Sequence, residues 1–487
     1  MASNAVSRRQ LMRVAAVGAM GAAALRTGPA HAARDAGSGR GGAADLVLYG
    51  GRILTMAGGA GVARAIAIKD GVVVQVGDDA SVRRLIGRRT EVVALRGRTV
   101  LPGINDAHLH GLRTGLALPP YNVDVGESAV GSIADVARQI AAAVAQAGAG
   151  AWIRGKGWNE TAFAEGRPPT RHDLDPVSPG HPVALLNVDP RWFVVTGVKL
   201  RADGVPIASR TAWMREPYAG GGRGGLVTIG STDEEKAAEL TAMIALVHRA
   251  GLQIGTHATG DAAIDAVAAA YAEAIRSRRH GDPRHYVIHG DFAWPETLRS
   301  LARHGCGVSL NPNIKHLIAD TQTGVVGDAR AAYQTPYRSA LRARVMVTSA
   351  SDSPNVAPDW RQGLETALLR EGRSGAVSGP DERIGLDEAL RTYTTSAAWQ
   401  DHAERWKGSL RRGMAGDLCV LDGHLTDERG RLAMDAHEIS DLPVALTVVD
   451  GAIAYDASDP SARAAAAEGR AVSWASRPNP AHMCASC

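Results

Sequence analysis

The sequence has few cysteines, no excess of charge beyond its first residues and no long hydrophobic run. Four cysteines in 487 residues do not make a disulfide framework. Four arginines in residues 1–33 account for the formal charge of +4, because the remainder holds 50 basic and 50 acidic side chains. That balance leaves no basic surface for nucleic acid. The apolar run Val14 to Leu25 is shorter than the roughly 20 residues that span a bilayer, which excludes a membrane span there.

Residues 1–33 have the pattern of a secretory signal. Ser7-Arg8-Arg9-Gln10-Leu11-Met12 is similar to a twin-arginine motif, and the apolar run is followed by the small-x-small site Ala30-His31-Ala32. The alternative is a basic disordered tail. We expect an exported protein, periplasmic or extracellular, with a Gly-rich linker over 34–44.

Short β-like runs, separated by Gly and Asp-Gly turns, occur near both ends of the remaining sequence. They are Asp45–Tyr49, Ala65–Lys69, Val72–Val76, Glu91–Leu95, Asp417–Leu421, Ala445–Val449 and Ala452–Tyr455. We expect residues 45–100 and 410–456 to pair into one small β-domain. Residues 457–487 carry no strong core signal and are predicted to be a tail.

The middle of the chain, residues 101–409, alternates helical and strand patterns. Helices are predicted over 235–250, 261–279, 295–304 and 337–344. Strands are predicted over Leu252–His257, His285–His289, Gly307–Leu310 and Val345–Ala350. Repeated strand–helix units of about 30 residues predict a parallel sheet. Their number favours a (β/α) barrel over an open sheet.

Polar residues follow the predicted strands at the ends where such barrels carry their functional groups. His108 and His110 come after the apolar strand Leu101–Ile104, and their i, i+2 spacing puts both on one face of an extended chain. Two histidines on one face can hold one metal ion.

Three further polar residues fall at later strand ends. His257 and His289 end two successive strands, 32 residues apart, and Asp352 follows Val345–Ala350. A single histidine or aspartate here is more often structural. Five such residues in register predict a shared metal site.

The same residues carry a family resemblance. The motifs are Pro-Gly-Ile-Asn-Asp-Ala-His-Leu-His ending at His110, His257-Ala258-Thr259-Gly260-Asp261, Arg284-His285 running to His289, Ser351-Asp352-Ser353-Pro354, Gly157-Trp158-Asn159-Glu160 and Ser309-Leu310-Asn311-Pro312-Asn313. Together they resemble the amidohydrolase superfamily, in the exoenzyme-like (amidohydrolase 3) branch that contains N-substituted formamide deformylases. The resemblance implies an α/β fold, a distorted TIM-type barrel with a β-sandwich built from both termini.

The resemblance also implies roles for individual residues. Lys199, in a Val-Lys-x-x-x-Asp-Gly motif, would be carboxylated and bridge two metal ions; the alternative is an ordinary amine paired with an acid. His108 and His110 would bind one ion, and His257 and His289 the other. Asp352 would touch a metal and move the proton of its water. This ligand set suits zinc best, one or two ions, with iron or manganese as alternatives.

One stretch departs from the family pattern. The strand candidates Pro182–Val188 and Trp192–Leu200 are separated by three residues, too few for the crossover between parallel neighbours. Asn159–His181 is Pro-rich and lacks helical periodicity, so it is not predicted as a crossover helix. Relatives carry a longer segment here, so the barrel is expected to be short of strands or closed unusually.

Two functions are compatible with these patterns. The first is a metal-dependent hydrolase of non-peptide carbon–nitrogen bonds in small amides or N-substituted formamides. The second is a catalytically weakened relative with a binding or vestigial role, because part of the substrate pocket would be missing. No pattern in the sequence identifies the substrate or the oligomeric state.

Overall fold

A computed structural model describes residues 42–58, 62–110, 123–125, 130–147, 153–156, 164–165, 167, 169–178, 183–184, 197–277 and 281–460. The predicted signal peptide, most of the predicted linker, residues 461–487 of the predicted 457–487 tail and the Gly157-Trp158-Asn159-Glu160 motif lie outside these residues. In the described part of the chain, no helix is both long and apolar enough to cross a membrane.

Strands and helices occur from residue 46 to residue 456 of the described residues. The strands are β1 (Leu46–Tyr49), β2 (Arg52–Ile53), β3 (Ala65–Lys69), β4 (Val72–Gly77), β5 (Glu91–Ala94), β6 (Thr99–Pro102), β7 (Val123–Asp124), β8 (Ile153–Lys156), β9 (Val183–Ala184), β10 (Gly197–Arg201), β11 (Gln253–Ala258), β12 (Tyr286–His289), β13 (Gly307–Leu310), β14 (Met346–Ser349), β15 (Leu418–Leu421), β16 (Val444–Val449) and β17 (Ala452–Asp456). The helices are α1 (Asp79–Arg83), α2 (Ile133–Gln146), α3 (Arg171–Leu174), α4 (Asp233–Arg249), α5 (Asp261–Ser277), α6 (Pro295–Arg303), α7 (Pro312–Val326), α8 (Asp328–Tyr333), α9 (Tyr337–Ala343), α10 (Trp360–Leu369), α11 (Leu386–Thr392) and α12 (Thr395–Gln400). Short 3-10 turns cover Asp175–Val177, Pro380–Glu382 and Ala436–Glu438.

Five parallel strands form a sheet in the order β10-β11-β12-β13-β14, with a helix or helices between successive strands. The predicted strand–helix alternation from residue 235 onward is therefore confirmed, with bounds that shift by one or two residues. Ile254, Val287 and Val308 pack against the helices in the main hydrophobic core. The fold is mixed α/β with parallel sheets.

A second, smaller parallel sheet contains β7, β8 and β9. The expectation that Asn159–His181 is not a crossover helix was wrong, because the connection between the parallel strands β8 and β9 contains α3, followed by a 3-10 turn. This helix is set by polar contacts, which a search for hydrophobic periodicity misses. The Asp173 carboxylate accepts hydrogen bonds from Thr170 N–H at 2.8 Å and from the Arg167 guanidinium.

Two further sheets contain strands from the two ends of the described chain. One has the order β4-β3-β1-β5, and the other the order β17-β16-β15-β6-β2. In the second sheet, β6 pairs antiparallel with β15, which joins residues 99–102 to residues 418–421. Side chains of both sheets share one hydrophobic cluster that includes Leu48, Ile66, Val100 and Leu418.

The expected barrel strand over Leu101–Ile104 was wrong. Its residues 101–102 belong to β6, whose hydrogen bonds run to β15, and residues 103–110 are not a strand. This segment nevertheless lies beside the end of β14, because Ala107 N–H donates to Ser349 O at 3.2 Å and His110 N–H to Ser353 O at 2.8 Å. The backbone thus carries His108 and His110 from the β-sheet to the edge of the parallel sheet.

Candidate metal centre

Strand register brings the predicted site residues to one edge of the parallel sheet. His257 is the penultimate residue of β11, and His289 is the last residue of β12. Asp352 follows β14 by three residues, and its backbone N–H donates to His108 O at 2.9 Å. Lys199 lies in β10 and pairs with Gly255 of β11. Gly255 is two residues before His257 in the same strand. The carboxyl ends of parallel strands meet at one edge, so these side chains converge.

His108, His110 and Asp352 form the tightest group of this site. The two Nε2 atoms lie 3.2 and 3.3 Å from Asp352 Oδ1. One ligand atom from each residue falls within 4.8 Å of the others, and no other group of three or more His, Cys, Asp or Glu among the described residues does so. The three side chains can therefore hold one metal ion.

Lys199 joins this group as a fourth member. Its Nζ lies 2.8 Å from His108 Nε2 and 3.4 Å from His110 Nε2. An unmodified ammonium would donate to the same imidazole nitrogens that would bind a metal. A carbamate at this nitrogen would present oxygen ligands instead, so the placement fits a bridging group as well as an amine.

His257 and His289 form a second, more deeply buried pair with ring centroids 4.5 Å apart. His257 Nε2 lies 2.8 Å from Gly204 O, a carbonyl that can only accept, so this nitrogen carries the proton and Nδ1 holds the lone pair. The His289 ring centroid lies 6.2 Å from that of His108, which places the pair beside the first group.

Asn311 fixes the tautomer of His289. Its Nδ2 donates to Ala350 O at 2.9 Å, so its Oδ1 faces His289 Nδ1 at 2.8 Å and accepts that proton. His289 Nε2 is then the lone-pair nitrogen, the form needed by a metal ligand. The Ser309–Asn313 motif does not by itself indicate this role, because His289 lies 22 residues before Asn311 in the sequence.

The backbone is left-handed at two of the site residues. His289 has φ 75° and Asp352 has φ 60°, a region that residues other than glycine rarely adopt. Strict strand alternation would place His289 on the same side of β12 as Val287, which packs against the helices. The unusual backbone breaks that alternation, and such strain is concentrated at functional sites.

Burial favours the neutral form of His108, His257 and His289. It lowers the pKa of His257 to about 4, against the opposing effect of the hydrogen bond to Gly204. Burial also lowers the pKa of His108 and holds that of His289 well below its usual value. Neutral imidazole is the form that binds metals.

Asp352 is ionised despite its burial. Burial alone would raise its pKa, but the contacts with His108 and His110 outweigh it and hold the pKa far below the usual range. Oδ2 accepts a hydrogen bond from Asn355 Nδ2 at 2.6 Å. Oδ1 is buried without a hydrogen-bond donor of suitable geometry in the described residues, although two imidazoles lie close. A carboxylate oxygen that faces two imidazole nitrogens in this way fits a cation.

Two aspartates to which the sequence patterns assigned no role form hydrogen bonds with residues next to the proposed ligands. Asp203 is buried and accepts hydrogen bonds from the N–H groups of Trp213, Thr259 and Gly260, and burial raises its pKa to about 7. Asp106 accepts from the backbone N–H and the hydroxyl of Ser351, the residue before Asp352. The Asp203-Gly204 pair in the lysine motif was the sequence feature that could have indicated the role of Asp203.

The cysteines take no part in the described site. Cys306 and Cys419 are buried free thiols, and burial raises the pKa of each to about 12. Cys484 and Cys487 lie outside the described residues.

A family model described as the amidohydrolase family matches residues 91–191 and 186–455. The chain belongs to this amidohydrolase family. An N-substituted formamide deformylase of Arthrobacter pascens is 22% identical over 542 aligned positions, which cover 85% of this chain and 98% of the relative. Protein LONG AFTER FAR-RED 3 of Arabidopsis thaliana is 22% identical over 79% of this chain and 88% of its own length.

Solved structures show the same fold. An uncharacterized metal-dependent hydrolase from Pyrococcus horikoshii OT3 matches with a TM-score of 0.60 and 18% identity, over 80% of this amidohydrolase chain and 100% of that chain. At this identity, the likeness concerns the fold. Family membership supports a hydrolase, and the His108, His110 and Asp352 group supports a divalent metal.

Proposed function

We propose that this amidohydrolase uses a divalent metal to hydrolyse non-peptide carbon–nitrogen bonds of small amides, N-substituted formamides among them. The convergence of His108 Nε2 and His110 Nε2 on Asp352 Oδ1, a buried carboxylate oxygen without a hydrogen-bond donor of suitable geometry in the described residues, carries the proposal. The relative from Arthrobacter pascens, whose name gives formamide deformylation, supports the substrate class.

We divide the four histidines of the site into two ligand pairs. We assign His108 and His110 to one ion, and the Nδ1 of His257 with the Nε2 of His289 to a second. Lys199, as a carbamate, would bridge the pairs, because its Nζ lies 2.8 Å from His108 Nε2 and 3.4 Å from His110 Nε2, and its strand β10 pairs with β11, which carries His257. Zinc suits this set of nitrogen and oxygen ligands best, and iron or manganese are alternatives.

Proton transfer falls to Asp352. A divalent cation held by these residues would lower the pKa of its bound water and polarise the amide carbonyl. Asp352 is ionised, so its carboxylate can accept the proton from that water and return it to the departing nitrogen. The hydrogen bond from Asn355 holds Oδ2, which directs Oδ1 towards the two imidazoles.

We infer a distorted TIM-type barrel over residues 101–409, with the five-stranded and three-stranded parallel sheets as its described parts. The two sheets that share the Leu48 and Val100 cluster are assigned to a β-sandwich made from residues 45–100 and 410–456. We also propose twin-arginine export from the motif at Ser7-Arg8-Arg9, on the sequence pattern alone.

A second function has an observation in its favour. The family model matches in two pieces that meet at residues 186–191, and the alignment with the deformylase has more positions than this chain has residues. The relative therefore contains segments without a counterpart here. A weakened amidohydrolase that binds a ligand without turnover is the alternative.

Formate release distinguishes the two functions. The metal-loaded full chain is incubated with a small N-substituted formamide, and formate is measured with a coupled dehydrogenase. We expect turnover by the wild type and a decrease of about 100- to 10,000-fold in Asp352→Asn, the range typical of general acid–base residues. Asp381→Asn, an exposed carboxylate on a 3-10 turn, serves as the matched control. Binding without formate release would favour the weakened relative.

A further inference from the structure

Arg201 is a charged residue of the site face to which the proposed mechanism gives no role. It is the last residue of β10 and lies opposite His257 of β11 in the parallel register. Paired residues of neighbouring strands point to the same face, and residues two apart on one strand also share a face. Arg201 therefore projects on the side of Lys199 and His257, at the carboxyl edge of the sheet.

The described contacts of Arg201 leave its charge without a carboxylate partner. Its Nε donates to Asp203 O, a backbone carbonyl, at 2.9 Å, and the side chain is exposed. Among the described residues, no acid lies within ion-pair distance of its guanidinium. Arg215 differs, because it pairs with Asp265 at 2.6 Å and Glu296 at 2.9 Å.

The strand register places Arg201 beside the site. Its partner across the parallel pair of strands is His257, a member of the ligand pair that we assign to the second ion. A fixed cation at this place attracts an anion that enters the site.

The geometry points to a substrate with its own carboxylate, bound by the Nη1 and Nη2 edge of Arg201 while Nε stays on Asp203 O. This inference rests on the proposed function and narrows its substrates to N-formyl or other N-acyl amino acids. In such a compound, the carboxylate carbon is two bonds beyond the scissile nitrogen. Arg201 is two residues beyond Lys199 on the same face of β10, and the fork of a guanidinium binds a carboxylate through two hydrogen bonds.

The test compares N-formylleucine with its neutral isostere, N-formylleucinamide, on the zinc-loaded full chain. Since Arg201→Gln removes a charge-assisted hydrogen-bonded contact with the carboxylate, we expect kcat/KM for the acid to decrease about 10- to 100-fold, mainly through KM. The neutral amide should change about twofold or less. Arg201→Lys should be intermediate, and Arg223→Gln, which removes a charge paired with Glu216 in the following loop, should match the wild type. An unchanged preference for the acid in Arg201→Gln would overturn the inference.

A binding measurement separates this inference from the proposed function. If neither compound is hydrolysed, the hydrolase proposal fails, and calorimetric titration of the same zinc-loaded proteins with N-formylleucine still tests Arg201. Binding that is about 10- to 100-fold weaker in Arg201→Gln than in Arg223→Gln would support the carboxylate contact. Equal affinity in the two variants, or equal affinity of the wild type for acid and amide, would contradict it.

Discussion

Two pairs of buried histidines lie at opposite ends of the five-stranded parallel sheet and differ in the hydrogen bonds that their ring nitrogens make. His248, near the end of α4, and His285, just before β12, have ring centroids 5.1 Å apart. His257 and His289, at the opposite ends of the strands, have centroids 4.5 Å apart. Burial and proximity are therefore common to both pairs.

The hydrogen bonds separate the two pairs. Ile254 N–H donates to His285 Nδ1 at 3.1 Å, so His285 Nε2 carries a proton and donates to His248 Nδ1 at 2.9 Å. Both nitrogens of His285 are thus used inside the protein. His257 and His289 each give one proton to an oxygen and retain a lone pair on the other nitrogen. Of these two pairs, only His257 and His289 both keep a ring nitrogen whose lone pair can bind a metal. Burial, which the two pairs share, does not distinguish them.

The largest expected effect comes from replacing one histidine of each pair and comparing the two variants. His289→Ala should remove one metal equivalent and lower activity by about 1,000-fold or more, because a catalytic ion contributes several kcal/mol. His285→Gln should keep the metal content and lose stability, since it breaks a buried hydrogen-bonded pair. Metal analysis and urea unfolding of both variants measure this. Equal metal loss in the two variants would remove the distinction.

Lys199→Ala should reduce activity by about 100-fold. This is at the upper end of the effect of removing a residue that hydrogen-bonds to a metal ligand. A small carboxylic acid such as acetate should restore part of it, because it can replace the bridging oxygens. Intact mass under native conditions should show one added CO2 on the wild type and none on the variant. Lys236→Ala is the control. Absence of both the added mass and the rescue would return Lys199 to an ordinary amine.

Asn311→Ala should weaken metal binding by about 10- to 100-fold, the usual effect of losing the group that orients a histidine ligand. Asn311→Asp keeps an acceptor for His289 Nδ1 and should retain most of the affinity. Chelator competition measures the affinity, and thermal unfolding of the metal-free proteins shows whether the fold is intact. If Ala and Asp variants bind metal alike, Asn311 has no orienting role.

The smallest effect is in the pH dependence of stability. Burial lowers the pKa of His285 to about 3 from 6.5, with a further contribution from His248. The unfolded chain then binds more protons between these values, so this contribution is full above pH 6.5 and is lost as pH decreases towards 3. Metal-free wild type should lose up to about 1.4 kcal/mol of unfolding free energy per pH unit from this group. His285→Gln should show a correspondingly shallower slope in urea unfolding between pH 7.5 and 5.5; an identical slope would contradict the argument.

Local patterns were sufficient to predict much of this molecule. The alternation from Asp233 to Ser349 follows hydrophobic periodicity, and strand ends predicted where His257, His289 and Asp352 would meet. Lys199 required the family resemblance. Its contact with His108 and His110 depends on how segments about ninety residues apart pack.

Other features depend on contacts that periodicity does not encode. The strand at Thr99–Pro102 looks the same whether it joins a parallel or an antiparallel sheet, and its partner, β15, is more than 300 residues away. The left-handed backbone at His289 and the acceptors Gly204 and Asn311 are equally invisible to local patterns. Tautomers, and with them the ability to bind a metal, follow only from these partners.

The metal content of the purified full chain tests the central claim most directly. We predict two divalent ions per chain, zinc if it is supplied, by elemental analysis after gel filtration, with one fewer in His289→Ala. A protein that contains no metal and takes up none on reconstitution, while remaining folded, would contradict the account. The hydrolase proposal should then be withdrawn in favour of a weakened relative.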